Sequence, residues 1–204
     1  GFGDTARLVR RLRNEQNPIG WFLHQVWDRF ANKTLWCSQQ AIKNVQDEAD
    51  VVLYLVDASQ NPDDAGYLKP ELEILTWIGR PVAVVLNQTG AARGRDLSAM
   101  TAKWRDFVGP WPIVKKTLVL DAYTRCWVEE GVLFAAVADL LPKEKRAAMV
   151  GLRRAWDDRN REVFTRSIER LGRRFRAGPN AIRMDVLDSL EHIGNDDVLP
   201  VIAE

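Results

Sequence analysis

Polar residues that can form several hydrogen bonds follow each of three apolar runs in this sequence. They are Asp57-Ala58-Ser59 at the end of DVVLYLVDAS, Asn87-Gln88-Thr89-Gly90 at the end of VAVVLNQTG, and Asp121-Ala122-Tyr123 at the end of KTLVLDAY. A side-chain amide such as that of Asn87 donates and accepts at once, and a purine base presents the same mixture along its edge. Small polar residues at strand ends also form turns, and for 87–90 taken alone a turn is the simpler interpretation.

The elements that would position these residues alternate between strand and helix. Apolar runs predict strands over 50–59, 81–87 and 116–123, the first two covered on both faces. Helical spacing predicts helices over 5–16, over 19–47 with a break near Asn32, between Pro70 and Gly79, over 96–108 and over 129–141. This order predicts an α/β fold with a doubly wound, mostly parallel sheet. Ligands of such sheets bind beyond the carboxyl ends of the strands, where all three polar clusters would lie.

The character of the sequence changes after Pro142, which places a domain boundary there: 1–142 α/β and 143–204 all-α. Between Lys143 and Arg176 there are 12 Lys and Arg against 5 Asp and Glu, a local net charge of +7. We expect one long helix or two here, followed by a break at 177–180 and a helical segment over 181–192. The arginines of 143–176 form either a solvated face or a surface for RNA phosphates or an anionic membrane.

Composition narrows the function classes further. The chain has 204 residues, a net charge of +1 and 46% apolar residues, which is ordinary for a globular protein. No apolar run reaches the roughly 18 residues of a membrane span, and no signal peptide is evident. The cysteines and histidines (Cys37, Cys126, His24 and His192) lack the spacing of a zinc site. These features predict a cytoplasmic protein without a protein-ligated metal, peripheral to a membrane if the Arg-rich helix binds lipid.

The order and spacing of GFGD at 1–4, the strand ending in Asp57, LNQTG at 86–90 and LDAYTRCW at 120–127 resemble a known family. They are similar to the second half of an Era-like P-loop GTPase domain, from a bacterial branch that carries an appended C-terminal domain of unknown function. The resemblance covers most of 1–142. It implies a nucleotide-dependent switch that binds GTP and GDP with Mg²⁺ and hydrolyses GTP in the intact protein.

The resemblance assigns roles to individual residues. Gly1 would meet the γ-phosphate, and the stretch to Asp4, with Gly3, would belong to switch II. Asn87 and Gln88 would occupy the Asn and Lys positions of the Asn-Lys-x-Asp base motif. Asp121 and Ala122 would begin the Ser-Ala-Lys motif, in which the backbone N–H of the second residue faces the base oxygen.

Two departures limit what the resemblance implies. Gly90 stands where the family has the Asp that reads guanine, so the base preference stays open, with Asp96 as a conceivable substitute. The sequence contains no Gly-Lys pair and therefore no Gly-x-x-x-x-Gly-Lys-Ser/Thr phosphate loop, which the family places upstream of Gly1. We therefore expect a piece of a longer GTPase with no assignable catalytic residue. The alternative is a nucleotide-independent module that docks on RNA or an anionic membrane through its Arg-rich helix.

Overall fold

The structure is a computed structural model that describes residues 5–25, 30, 32–90, 95–122 and 127–177. Gly1 and Gly3, expected at the γ-phosphate, lie outside these ranges. So do Tyr123, Cys126 and the helical segment expected over 181–192.

The described residues form an α/β domain followed by a long helix, as the sequence predicts. The helices are α1 (Thr5–Leu12), α2 (Pro18–His24), α3 (Lys33–Glu48), α4 (Leu68–Ile78), α5 (Arg95–Val108), α6 (Trp127–Leu140) and α7 (Lys143–Ala177). The strands are β1 (Val52–Asp57), β2 (Val82–Asn87) and β3 (Val114–Val119). The region after Pro142 is a single helix of 35 residues as far as it is described.

The three strands form a parallel sheet in the order β1-β2-β3. Asp57 pairs in register with Asn87, so the ends of β1 and β2 lie side by side. A bulge shifts the β2–β3 register after Val82. Parallel pairing thus brings the three polar clusters to one edge of the sheet, which is where the sequence predicts a site.

The two apolar runs predicted to be covered on both faces behave differently. In β2 every residue from Val82 to Leu86 is buried. In β1 the expectation is wrong for one face, because Leu53 is 42% and Leu55 61% exposed. The opposite face of β1, which includes Val56, joins the main core with the buried indole of Trp104 from α5. Among the described residues, β1 is hydrogen-bonded to another strand along one edge only. An apolar sequence at such a position does not ensure that both faces of the strand are buried.

The stripe predicted over 19–47 is interrupted earlier than expected. Helix α2 ends at His24, and α3 begins directly after Asn32. The side chain of Gln39 on α3 is buried, and its Nε2 donates to the carbonyl oxygens of Phe22, Leu23 and Gln25 at 2.7–3.1 Å. Carbonyls at a helix C-terminus lack partners within the helix, so Gln39 stabilises the end of α2.

Helix α4 ends as its sequence predicts. Gly79 follows the last residue in a left-handed conformation with φ +79° and donates its N–H to the carbonyl of Leu75. A glycine accepts this conformation without strain, and the chain then turns directly into β2. The glycine thereby sets where β2 begins.

The chain divides into two compact units, 1–153 and 154–204. Helix α7 begins in the first unit, just after the boundary predicted near 142, and continues into the second. Within the described ranges, no helix has both the length and the apolar character needed to cross a membrane.

Candidate functional site at the strand ends

Asp57, at the end of β1, organises the turn that follows it. Its Oδ1 accepts hydrogen bonds from the N–H and the hydroxyl of Ser59, at 3.0 and 2.6 Å, and its Oδ2 accepts one from Gln60 at 3.0 Å. The N–H of Ala58 donates to the backbone carbonyl of Asn87 at 2.7 Å. The first polar cluster therefore forms a turn that is hydrogen-bonded to the end of β2.

Asn87 ends β2 and connects it to the loop after β3. The N–H of Ala122 donates to Asn87 Oδ1 at 2.9 Å. This bond occupies the Ala122 N–H, which the family resemblance assigns to a base oxygen. The Asn87 side-chain nitrogen, Nδ2, donates to no acceptor in the described ranges, so its two N–H groups remain for a ligand.

Asp121 connects the same two loops a second time. Its side chain is buried, and its Oδ2 accepts hydrogen bonds from both the N–H and the hydroxyl of Thr89, each at 2.8 Å. Hydrogen bonds to a carboxylate are stronger than neutral ones, so this contact holds the loop after β2 firmly. Asp121 thus positions the loop around Asn87, and its oxygen Oδ2 faces Thr89.

The loop after β2 reaches Asp121 through two left-handed residues. Gln88 has φ +55° and Gly90 has φ +65°, with Thr89 between them. A Cβ added to Gly90 would meet no atom within 4 Å, so space does not exclude an aspartate there. The positive φ does disfavour it, because residues with a Cβ adopt this region at a cost. Gly90 is therefore explained by the backbone of the turn, and the exposed Gln88 tolerates the same region.

A small cavity lies beside Asn87. Its volume is about 200 Å³, and its wall is mostly apolar. The lining residues are Leu53, Leu55, Val85, Asn87, Leu120, Asp121, Ala122, Glu130 and Leu133. Pockets that enclose a whole small ligand usually measure about 300–1,000 Å³. This cavity is therefore of a size for a planar portion of a ligand, such as a base.

A second cavity of about 470 Å³ lies beyond the ends of β1 and β2. Ser59, Gln60, Thr89, Lys103 and Trp104 contribute to its wall. The indole nitrogen of Trp104 is buried and has no hydrogen-bond partner in the part of the chain that the structure describes. Because that nitrogen has no accessible surface, a ligand in the cavity does not reach it without movement of the protein.

A third cavity, of about 560 Å³, runs along β1 next to Tyr54 and Glu71. Glu71 is buried, and its Oε2 accepts a hydrogen bond from the Tyr54 hydroxyl at 2.5 Å. Burial, and then the hydrogen bond to Glu71, raise the pKa of Tyr54 far above its usual 10.0. Burial also raises the pKa of Tyr67 nearby. The sequence does not predict this pair, because only the fold brings residues 17 positions apart into contact.

The geometry thus brings together three of the four residues predicted to bind a base, namely Asn87, Asp121 and Ala122. Gln88 is adjacent but exposed. No group of three or more His, Cys, Asp or Glu side chains suited to a metal ion occurs among the described residues. No protein family, curated protein or solved structure was found to match this chain.

Proposed function

We propose that the site around Asn87 holds the base of a nucleotide, in a protein that acts as a nucleotide-dependent switch. One observation carries the proposal. The oxygen of the Asn87 amide is fixed by the Ala122 N–H, its Nδ2 donates to no described residue, and Asn87 lines the small apolar cavity. An amide held by one end is preorganised, so a ligand that accepts from the other end loses less entropy on binding.

The donors of Asn87 suit a purine. Both purines carry an N7 acceptor, and guanine adds the O6 acceptor beside it. The apolar wall formed by Leu53, Leu55 and Val85 suits the face of the ring. The order of the motifs favours guanine. Because Gly90 supplies no carboxylate to read guanine, adenine and xanthine remain alternatives that a titration must distinguish.

The proposal assigns this chain the base end of the nucleotide. Gly1 remains the proposed contact of the γ-phosphate, and Gly3 remains a proposed part of switch II. The sequence holds no Gly-Lys pair of a phosphate loop, so these residues are assigned no role in hydrolysis. Mg²⁺ and GTP hydrolysis belong to the proposed activity of the intact protein.

The test is equilibrium titration of the intact protein with fluorescent GDP, ADP and XDP in the presence of Mg²⁺. The informative variant is Asn87→Asp, which keeps an oxygen for the Ala122 N–H and removes the two donors. We expect it to weaken the preferred nucleotide by about tenfold or more, since one hydrogen bond lost to a polar ligand costs on the order of 1–2 kcal/mol. Asn44→Asp, the same change at an exposed position of α3, should leave the affinity unchanged.

Unchanged affinity in Asn87→Asp would contradict the proposal even if the protein binds a nucleotide. Absence of binding to all three nucleotides would make Asn87 a residue that only ties two loops together. A preference for ADP or XDP would retain the base site and revise its ligand.

A further inference from the structure

The C-terminal half of α7 carries an exposed apolar stripe. Its members are Phe164, Ile168, Leu171 and Phe175, spaced by 4, 3 and 4 residues and between 42% and 64% exposed. At 100° per residue they fall within an arc of about 60°. Val163, also exposed, widens the apolar side. Exposed aromatic and aliphatic side chains aligned on one face indicate a surface that binds a partner, such as another protein or a membrane.

Arginine is the commonest residue on the rest of this half-helix. Residues 163–177 contain five arginines and one glutamate, a net charge of 5 − 1 = +4. Glu162 pairs with Arg166 and Glu169 with Arg173, on the side opposite the stripe. Arg176, about 80° around the helix from the edge of the stripe, makes no ion pair with any described residue. Unpaired positive charge therefore borders the apolar residues.

We propose that this half of α7 binds the surface of an anionic membrane. The helix would lie in the plane of the interface, with the stripe in the boundary between headgroups and acyl chains and the arginines near lipid phosphates. Amphipathic helices with a cationic polar face and Phe or Leu on the other face bind membranes in this way. Each arginine near such a surface adds to the attraction.

Alternative partners use only part of this surface. RNA phosphates would pair with the arginines and leave Phe164, Ile168, Leu171 and Phe175 in water. A second copy of α7 could cover the stripe, but it would bring +4 against +4. An anionic membrane accommodates the apolar residues and the charge together, and the surface shares no residue with the proposed nucleotide site.

The test is co-sedimentation of the intact protein with vesicles of phosphatidylcholine alone and of equal parts phosphatidylcholine and phosphatidylglycerol. We expect the anionic vesicles to bind at least about tenfold more strongly, because several arginines act together. Moderate salt should weaken this binding, since the charges are exposed to solvent. Equal binding to both vesicles, or binding to neither, would overturn the proposal.

The double variant Phe164→Ala with Phe175→Ala removes two members of the stripe and keeps the helix, because alanine is a strong helix former. We expect it to lose about tenfold or more of the binding to anionic vesicles, through the apolar area that no longer enters the interface. Leu152→Ala changes an exposed residue of the same helix outside the stripe and should bind as the original protein does. Circular dichroism of each variant verifies that α7 is intact.

Two further readouts separate the alternatives. Binding to polyuridine RNA that the double variant retains, without vesicle binding, would replace the membrane by a nucleic acid. Self-association that the double variant abolishes, again without vesicle binding, would assign the stripe to a second copy. Asn87→Asp should bind vesicles normally, so failure of the nucleotide proposal and failure of this one give different results.

Discussion

The strand-end region and the C-terminal half of α7 use similar residue types in opposite ways. At the strand ends, the carboxylate of Asp121 is buried and accepts two hydrogen bonds from Thr89. On α7, the carboxylate of Glu162 is exposed and pairs with Arg166 one turn away. The aromatic side chains differ likewise: Trp104 is 1% exposed and Phe175 is 64% exposed. Burial therefore decides which side chains hold the fold and which remain for a partner.

The largest expected loss of stability comes from removing a buried aromatic side chain of the core. Trp104 packs edge-on against Phe107, with ring centroids 6.3 Å apart, and lies in the core beneath the sheet. We expect Trp104→Ala to lower the free energy of unfolding by about 3–5 kcal/mol, because it leaves a large cavity. Denaturant unfolding followed by far-ultraviolet circular dichroism measures the change.

Phe164→Ala is the matched change on α7. Its side chain is 56% exposed, so we expect the free energy of unfolding to change by no more than about 0.5 kcal/mol. A loss comparable to that of Trp104→Ala would mean that the stripe is covered within the folded protein. The membrane proposal would then lose its free surface.

How far the sequence predicts each region follows from the same contrast. The apolar runs and helical spacing predict the order of strands and helices, because those signals are local. These local signals do not distinguish β1 from β2, since both runs are apolar. Whether both faces of a strand are buried depends on which elements pack next to it. Leu53 and Leu55 are exposed for that reason, while Ala83 and Val85, which pair with them in the adjacent strand, are buried.

The candidate site shows the same division. The sequence places Asn87, Asp121 and Ala122 at one edge of the sheet, because parallel strands end together. It does not predict that Asp121 bonds to Thr89 or that Ala122 bonds to Asn87, since those contacts join residues 32 and 35 positions apart. Nor does the motif explain Gly90, whose positive φ becomes evident only in the folded turn.

A second, smaller effect sharpens the contrast between the two carboxylates. Asp121→Ala removes the oxygen Oδ2 that accepts both hydrogen bonds from Thr89, and hydrogen bonds to a charged group are worth about 1.5–3 kcal/mol. We expect a loss of that size in the free energy of unfolding. Glu162→Ala breaks an exposed i, i+4 pair and should cost at most about 0.5 kcal/mol. Equal losses in the two variants would refute the structural role assigned to Asp121.

The smallest expected effect is the pH dependence that Tyr54 gives to the α/β region, which has no counterpart on α7 because α7 contains no tyrosine. Burial and the Glu71 hydrogen bond raise the pKa of Tyr54 above its usual 10.0. Above about pH 10 the unfolded chain therefore loses this proton while the folded chain keeps it. The stabilisation is complete below pH 10 and declines as the pH rises further, by up to about 1.4 kcal/mol per pH unit for one group.

Tyr54→Phe removes that titration, so its unfolding free energy should fall less steeply above pH 10 than that of the original protein. Tyr67→Phe is the matched control, since Tyr67 is 43% exposed and its pKa is raised less strongly by a smaller burial. Denaturant unfolding at pH 9, 10 and 11 measures the slopes, with roughly one proton per molecule as the expected difference. If both variants change the slope equally, the Tyr54–Glu71 hydrogen bond does not form in solution. The cavity along β1 would then be more open to water than the burial of Glu71 indicates.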